Sequence, residues 1–149
     1  MIHKYILLLL IVLFICRCSG NGNIEREIKN TISKVCINND CRIVISKLTD
    51  FKWDKMFVFD SPVSLETITE AIGTDYPGYV EFSRTLIFMN KGSIVYYENN
   101  PSKIETFTPG QVIFNYHHSV KYKMFLPNNA IFKVKTKTSD EGDYYILYQ

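Results

Sequence analysis

The residues of this 149-residue chain that could do chemistry are scattered rather than gathered into a recognisable constellation. Cys36 and Cys41 stand on either side of Ile37, Asn38, Asn39 and Asp40, a turn-forming stretch. A redox or metal role would need a second ligand cluster spaced to complement them, and none is present. A disulfide is the expectation. His117 and His118 come next, with Tyr116 and Tyr122 nearby. Neighbours on a strand point to opposite faces, so the two imidazoles cannot share one metal from a regular strand. Further ligands would have to come from residues as remote as Glu98 or Asp140, and a loop between strands is the simpler placement. Trp53, Asp54 and Lys55 could line a ligand site, but the plainer assignment is a core anchor, a turn cap and an outward cation. No Gly-x-Ser-x-Gly elbow occurs, and Glu66, Glu70, Asp75 and Glu81 carry no pattern that would bring two carboxylates together for sugar chemistry. No catalytic residue, metal or cofactor is expected, and the chain is read as a non-enzyme.

The lysines give the sharpest geometric expectation. If Pro127, Asn128 and Asn129 form a three-residue hairpin loop, Tyr122, Met124 and Leu126 share a face with Ala130, Phe132 and Val134. The opposite face then sets Lys121 and Lys123 across from Lys135 and Lys133, with Lys137 beyond. Like charges directly opposite are mildly destabilising, so this face calls for an anionic partner such as a lipid headgroup, a polysaccharide or an acidic protein surface. The competing role is a solvated face whose lysines discourage edge-to-edge pairing.

Elements that could position these residues begin after an unusual leader. Lys4 precedes ten unbroken apolar residues, Ile6 to Ile15, the length of a secretory h-region and well short of the ~20 residues of a membrane span. Residues 1–18 read as a signal peptide, 19–23 as a tether and 24–149 as a single domain. Two cleavage positions compete. A cut after residue 17 leaves Cys18 for lipidation, followed by the small polar Ser19, Gly20, Asn21, Gly22 and Asn23 as in bacterial lipoproteins. A cut after residue 20 uses the small residues Cys18 and Gly20 and leaves Asn21 first. Loss of the leader removes Lys4 and Arg17 and no acid, so the remaining charges balance. That balance argues against nucleic acid as a partner. Export also places Cys36 and Cys41 where disulfides persist.

Within the domain, Ile24, Ile28, Ile32 and Val35 recur at helical spacing. Ile43, Val44 and Ile45 form a β-branched run, and residues 54–60 read as a strand buried on both faces. Ser64 is an N-cap for a short helix over residues 65–72, with Leu65, Ile68, Ala71 and Ile72 on its packing face and Gly73 just past its end. Residues 74–80, with Pro77 and Gly78, are the candidate mobile loop. A hairpin around Asn90, Lys91 and Gly92 opens a run of strands at 85–89, 93–98, 112–115, 122–126, 130–135 and 144–148, expected as an antiparallel meander. The class is α+β: two short helices on one face of a twisted, mainly antiparallel sheet of five to seven strands.

Phe51, Trp53, Asp54 and Lys55 before the apolar Met56 to Phe59, with Ser64 and Gly73 bounding the following helix, resemble a set of small exported bacterial proteins and lipoproteins. The resemblance covers about a third of the chain and implies export and fold, with no activity and no functional residue attached to it. The function expected from all these features is binding in the cell envelope, periplasmic or membrane-anchored. A protein-interaction or inhibitor/immunity-type module comes first, and a small-molecule or lipid-binding protein is the alternative.

Overall fold

In chain order the elements are α1 (Ile24–Val35), β1 (Arg42–Val44), a 3-10 turn (Ile45–Lys47), β2 (Lys55–Phe59), α2 (Leu65–Ile72), β3 (Ser83–Asn90), β4 (Ser93–Pro101), β5 (Val112–Phe114), β6 (Tyr122–Phe125), β7 (Ile131–Ser139) and β8 (Gly142–Tyr148). These come from a computed structural model that describes residues 23–36, 41–101, 107–116 and 120–149. The expected leader with Cys18, the turn between the cysteines, and His117 and His118 lie outside the described residues. The fold is α+β, with the strands divided between two four-stranded sheets, β4-β3-β2-β6 and β1-β7-β8-β5. The first sheet is antiparallel throughout, whereas in the second β5 runs parallel to β8.

Alternation within β2 explains the layering, because a strand sends successive side chains to opposite faces. Met56 and Val58 join Leu86, Phe88 and Phe125 in a core shared with Phe132, Val134 and Leu147 of the second sheet and with Ile24, Ile28 and Ile32 of α1. Phe57 and Phe59 point the other way, where Ile87, Met89, Ile68, Ile72 and Tyr76 cover them. The layers therefore run α2, first sheet, shared core, second sheet. The two helices do not share a sheet face. Full burial of an aromatic side chain such as Phe59 makes its removal cost about 3–5 kcal/mol.

Local signals set the ends of the elements. Asn23 caps α1 by accepting from the Arg26 N–H at 2.8 Å, and Ser64 caps α2 by accepting from the Thr67 N–H at 3.2 Å. Gly73 ends α2 at φ +72°, a left-handed position that costs glycine little. Lys91 and Gly92 both take positive φ in the β3–β4 turn, whose backbone twist matches that of the flanking strands. Two apolar positions depart from the helical pattern: Val35 is 61% exposed where the chain leaves α1, and Leu65 is 43% exposed at the first position of α2.

The expected hairpin between β6 and β7 does not form. β6 pairs with β2, and β7 pairs with β1 and β8. At Pro127–Asn129 the turn closes instead through Ala130 N–H to Leu126 C=O, and the Asn129 side chain accepts from the Leu126 N–H at 2.7 Å. This helical closure carries the chain across the core to the other sheet. Phe125 and Phe132 then meet edge to face with ring centres 5.0 Å apart, a favoured aromatic geometry that links the two layers.

Candidate functional site

The outer face of the second sheet follows from the two-residue period of β7. Phe132 and Val134 are buried, so Ile131, Lys133, Lys135 and Lys137 project outward. Register places Arg42 and Tyr148 on either side of Lys133, Ile146 beside Lys135, and Tyr144 beside Lys137. Ile113 lies next to Ile146 on β5, Val44 next to Ile131 on β1, and the exposed Phe107 ring stacks on Tyr144 at 4.2 Å. Among the described outward residues of these strands there are four cations and no carboxylate.

This arrangement has an electrostatic cost. Outward residues two apart on a strand are separated by roughly 6.5–7 Å, and neighbouring strands by about 4.8 Å. Both spacings fall inside the screening length of about 8–10 Å at physiological salt, so the cations act on one another. Arg42 and Lys133 are directly opposite, a like-charge pair that weakens a sheet. An anion brought to the face would remove that repulsion, while Tyr144, Tyr148, Ile113 and Ile146 supply the apolar contact a stable interface needs.

The structure separates the lysines that the sequence placed together. Lys133 and Lys135 lie on the face just described, and Lys137, expected beyond them, extends it. Lys123 sits on β6 across from Val58 in the other sheet, and Lys121 immediately precedes β6. The premise that Lys121 and Lys123 oppose Lys135 and Lys133 is therefore corrected, because the two strands belong to different sheets. Arg42, Tyr144 and Tyr148 enter instead. The β7 alternation was visible in the sequence, whereas a partner on β1, about ninety residues earlier, left no local signal.

Other singled-out residues have structural roles. Cys36 and Cys41 form a disulfide with Cα atoms 5.1 Å apart, tying the end of α1 to the start of β1. Trp53 is buried, donates from Nε1 to Thr49 Oγ1 at 3.0 Å and meets Phe88 edge to face. Asp54 Oδ2 accepts from the Lys91 N–H at 2.6 Å, which caps the hairpin turn, while its Oδ1 has no hydrogen-bond partner among the described residues. Lys55 is exposed. The 74–80 loop is tied down: Tyr76 donates to Asn99 at 2.9 Å, Asn99 donates back to Gly78 C=O at 2.6 Å, and Gly78 lies against the Tyr97 ring.

A buried polar cluster holds the start of α1. The Glu98 carboxylate accepts from the N–H groups of Ile24 at 2.6 Å and Glu25 at 3.1 Å, from Tyr96 Oη at 2.6 Å and from Asn100 Nδ2 at 2.9 Å. An anion is well placed there, because the first turn of a helix leaves its N–H groups unpartnered and carries partial positive charge. Glu25 accepts from the Val112 N–H at 3.0 Å and pairs with Arg84 at 3.3 Å, and Arg84 also donates to the Val112 carbonyl. Beside them, a cavity of about 10 Å³ is lined by Arg84, Asp60 and Asn100. It has room for about one water and none for an organic ligand. Burial and then Glu98 push the Tyr96 hydroxyl up, and burial and then Asp60 do the same to Tyr116, which donates to Val58 C=O at 3.4 Å. The cluster is a clamp on α1.

No protein-family model, curated protein or solved structure matches the chain, and its function is read from these surfaces alone.

Proposed function

We propose that this is an exported protein that acts by binding, as an interaction or inhibitor/immunity-type module, and that the outer face of the second sheet is its contact surface. The observation that carries this reading is Arg42, Lys133, Lys135 and Lys137 interleaved with Tyr144, Tyr148 and Ile146 on a face without a carboxylate among its described residues. Charge of one sign steers encounter and fixes orientation, and tyrosine adds contact area at low entropic cost. The partner chemistry it fits is an acidic protein surface with exposed apolar groups. Export follows from the expected leader, and the anchor on Cys18 is one of its two expected outcomes.

The test is cross-linked affinity purification of the tagged full chain from its own cells, against an unrelated tagged exported protein. A stoichiometric partner is expected with the native protein and with Lys121→Glu/Lys123→Glu, and its loss with Lys133→Glu/Lys135→Glu/Lys137→Glu. Equal recovery by both charge-reversed proteins would remove this face from the function.

A further inference from the structure

Opposite this basic face, across the whole layer stack, lies a surface of the contrary character. From Ser61 to Ser83 the chain has no lysine or arginine and four acids, Glu66, Glu70, Asp75 and Glu81, all exposed. They belong to α2 and the loop after it, and α2 packs on the outer side of the first sheet. Glu66 and Glu70 are one helical turn apart, so they share a side of α2. Around them stand exposed apolar side chains: Leu65 at 43%, Tyr79 at 36%, Val80 at 53% and Phe82 at 50%.

Two of these are held in place by local geometry. Tyr79 donates its hydroxyl to Val63 C=O at 3.1 Å, which pins the loop beside the start of α2. Phe82 takes φ +56°, a region that costs a residue with a side chain, while Ser83 Oγ secures the neighbouring Val80 C=O at 2.7 Å. The surface is thus acidic and apolar, with its backbone anchored at Tyr79 and Val80. Those are the properties required of a partner for the outer face of the second sheet.

We infer that the chain's own α2 surface is such a partner, and that two copies associate head to tail, the α2 surface of one against the outer face of the second sheet of the next. Because the two surfaces lie on opposite sides of the molecule, the contact is heterologous: a pair keeps one free surface of each kind, one on each copy, and association continues by further addition unless it closes into a ring. Reversing Lys133 and Lys135, or Glu66 and Glu70, turns two of the four charges on that surface and leaves a molecule with one charged surface and one of no net charge. Such a molecule cannot stack on itself, but it can stack on one with the complementary change.

This inference rests on the binding role proposed for the basic face, and its test separates the two. Sedimentation of the full chain over a range of concentrations should show species above the monomer that dissociate as salt is raised. Lys133→Glu/Lys135→Glu and Glu66→Lys/Glu70→Lys should each remain monomeric. An equimolar mixture of the two should regain the larger species, which misfolded variants would not do. A native protein that stays monomeric at its highest soluble concentration would overturn the inference, as would association that survives in either variant or a mixture that fails to restore it. Should the native protein be monomeric while Lys133→Glu/Lys135→Glu/Lys137→Glu still loses a partner in cells, self-association fails and the binding face stands.

Discussion

Replacing Glu98 by Gln tests whether the polar cluster at the start of α1 holds the helix. The carboxylate is 8% exposed and accepts from four donors, two backbone N–H groups of α1, the Tyr96 hydroxyl and the Asn100 amide. Gln keeps the shape but offers one acceptor oxygen, and turns an amide group toward donors where the second oxygen stood. Two of the four bonds are lost, at about 1.5–3 kcal/mol each for bonds to a charged group. Relaxation and the smaller desolvation of a neutral side chain offset part of this, leaving an expected loss of about 3–5 kcal/mol, a large share of the total stability of a domain this size. Urea unfolding measures the loss. Hydrogen exchange locates it, since the amides of Ile24 and Glu25 should exchange faster while those of β2 keep their relative protection. Tyr96→Phe removes a single donor to the same carboxylate and should cost about 1.5–3 kcal/mol. A Glu98→Gln protein within about 1 kcal/mol of the native one, with unchanged exchange at both amides, would show that α1 is held by its isoleucines alone.

Cys36→Ser/Cys41→Ser should lower stability by about 2 kcal/mol in urea unfolding, the low end for a disulfide, because the closed loop is short. Reductant should destabilise the native protein by a similar amount and leave the variant unaffected. Raising pH should leave stability level up to pH 10 and then reduce it, because burial, outweighing its hydrogen bond to Asn99, pushes the Tyr76 hydroxyl from 10.0 to about 12. The folded state then holds a proton that the unfolded chain gives up, so unfolding is favoured across that interval; Tyr96 and Tyr116 act in the same direction. Urea midpoints measured below pH 10 and near pH 12 check the fall. Lys133→Gln should stabilise the fold by about 0.2–1 kcal/mol by relieving its pairing with Arg42 while weakening partner recovery; a loss of stability instead would show that the repulsion is not felt.

Where the sequence was legible, a few residues decided a short stretch of chain. Ser64 and Gly73 bounded α2 to the residue, the Phe57 and Phe59 alternation marked a strand buried on both sides, and Lys91 with Gly92 placed the β3–β4 turn. Cys36 and Cys41 gave the disulfide for the same reason. Strand partners were illegible, because pairing depends on residues far apart in sequence and each β-strand pattern is compatible with several neighbours. Pro127–Asn129 shows the limit: its composition suits a hairpin loop, yet the Leu126 to Ala130 closure sends the chain to the other layer. Half of the candidate face was therefore visible as the β7 lysines. Arg42, Tyr148 and the opposing α2 surface became visible only with three-dimensional neighbours.

The two sheets draw on the chain in different ways. β2, α2, β3 and β4 follow one another without interruption, so three strands of that layer can gather from contacts between near neighbours, with β6 joining their edge from later in the chain. In the other sheet, β1 near the start of the domain must find β7 near its end, and closing so long a loop carries an entropic penalty before any contact is gained. The basic face consequently exists only once both ends of the domain have met. A chain cut short, or one still finding its shape, would present no such face, so recognition through the proposed surface would also certify that folding is complete.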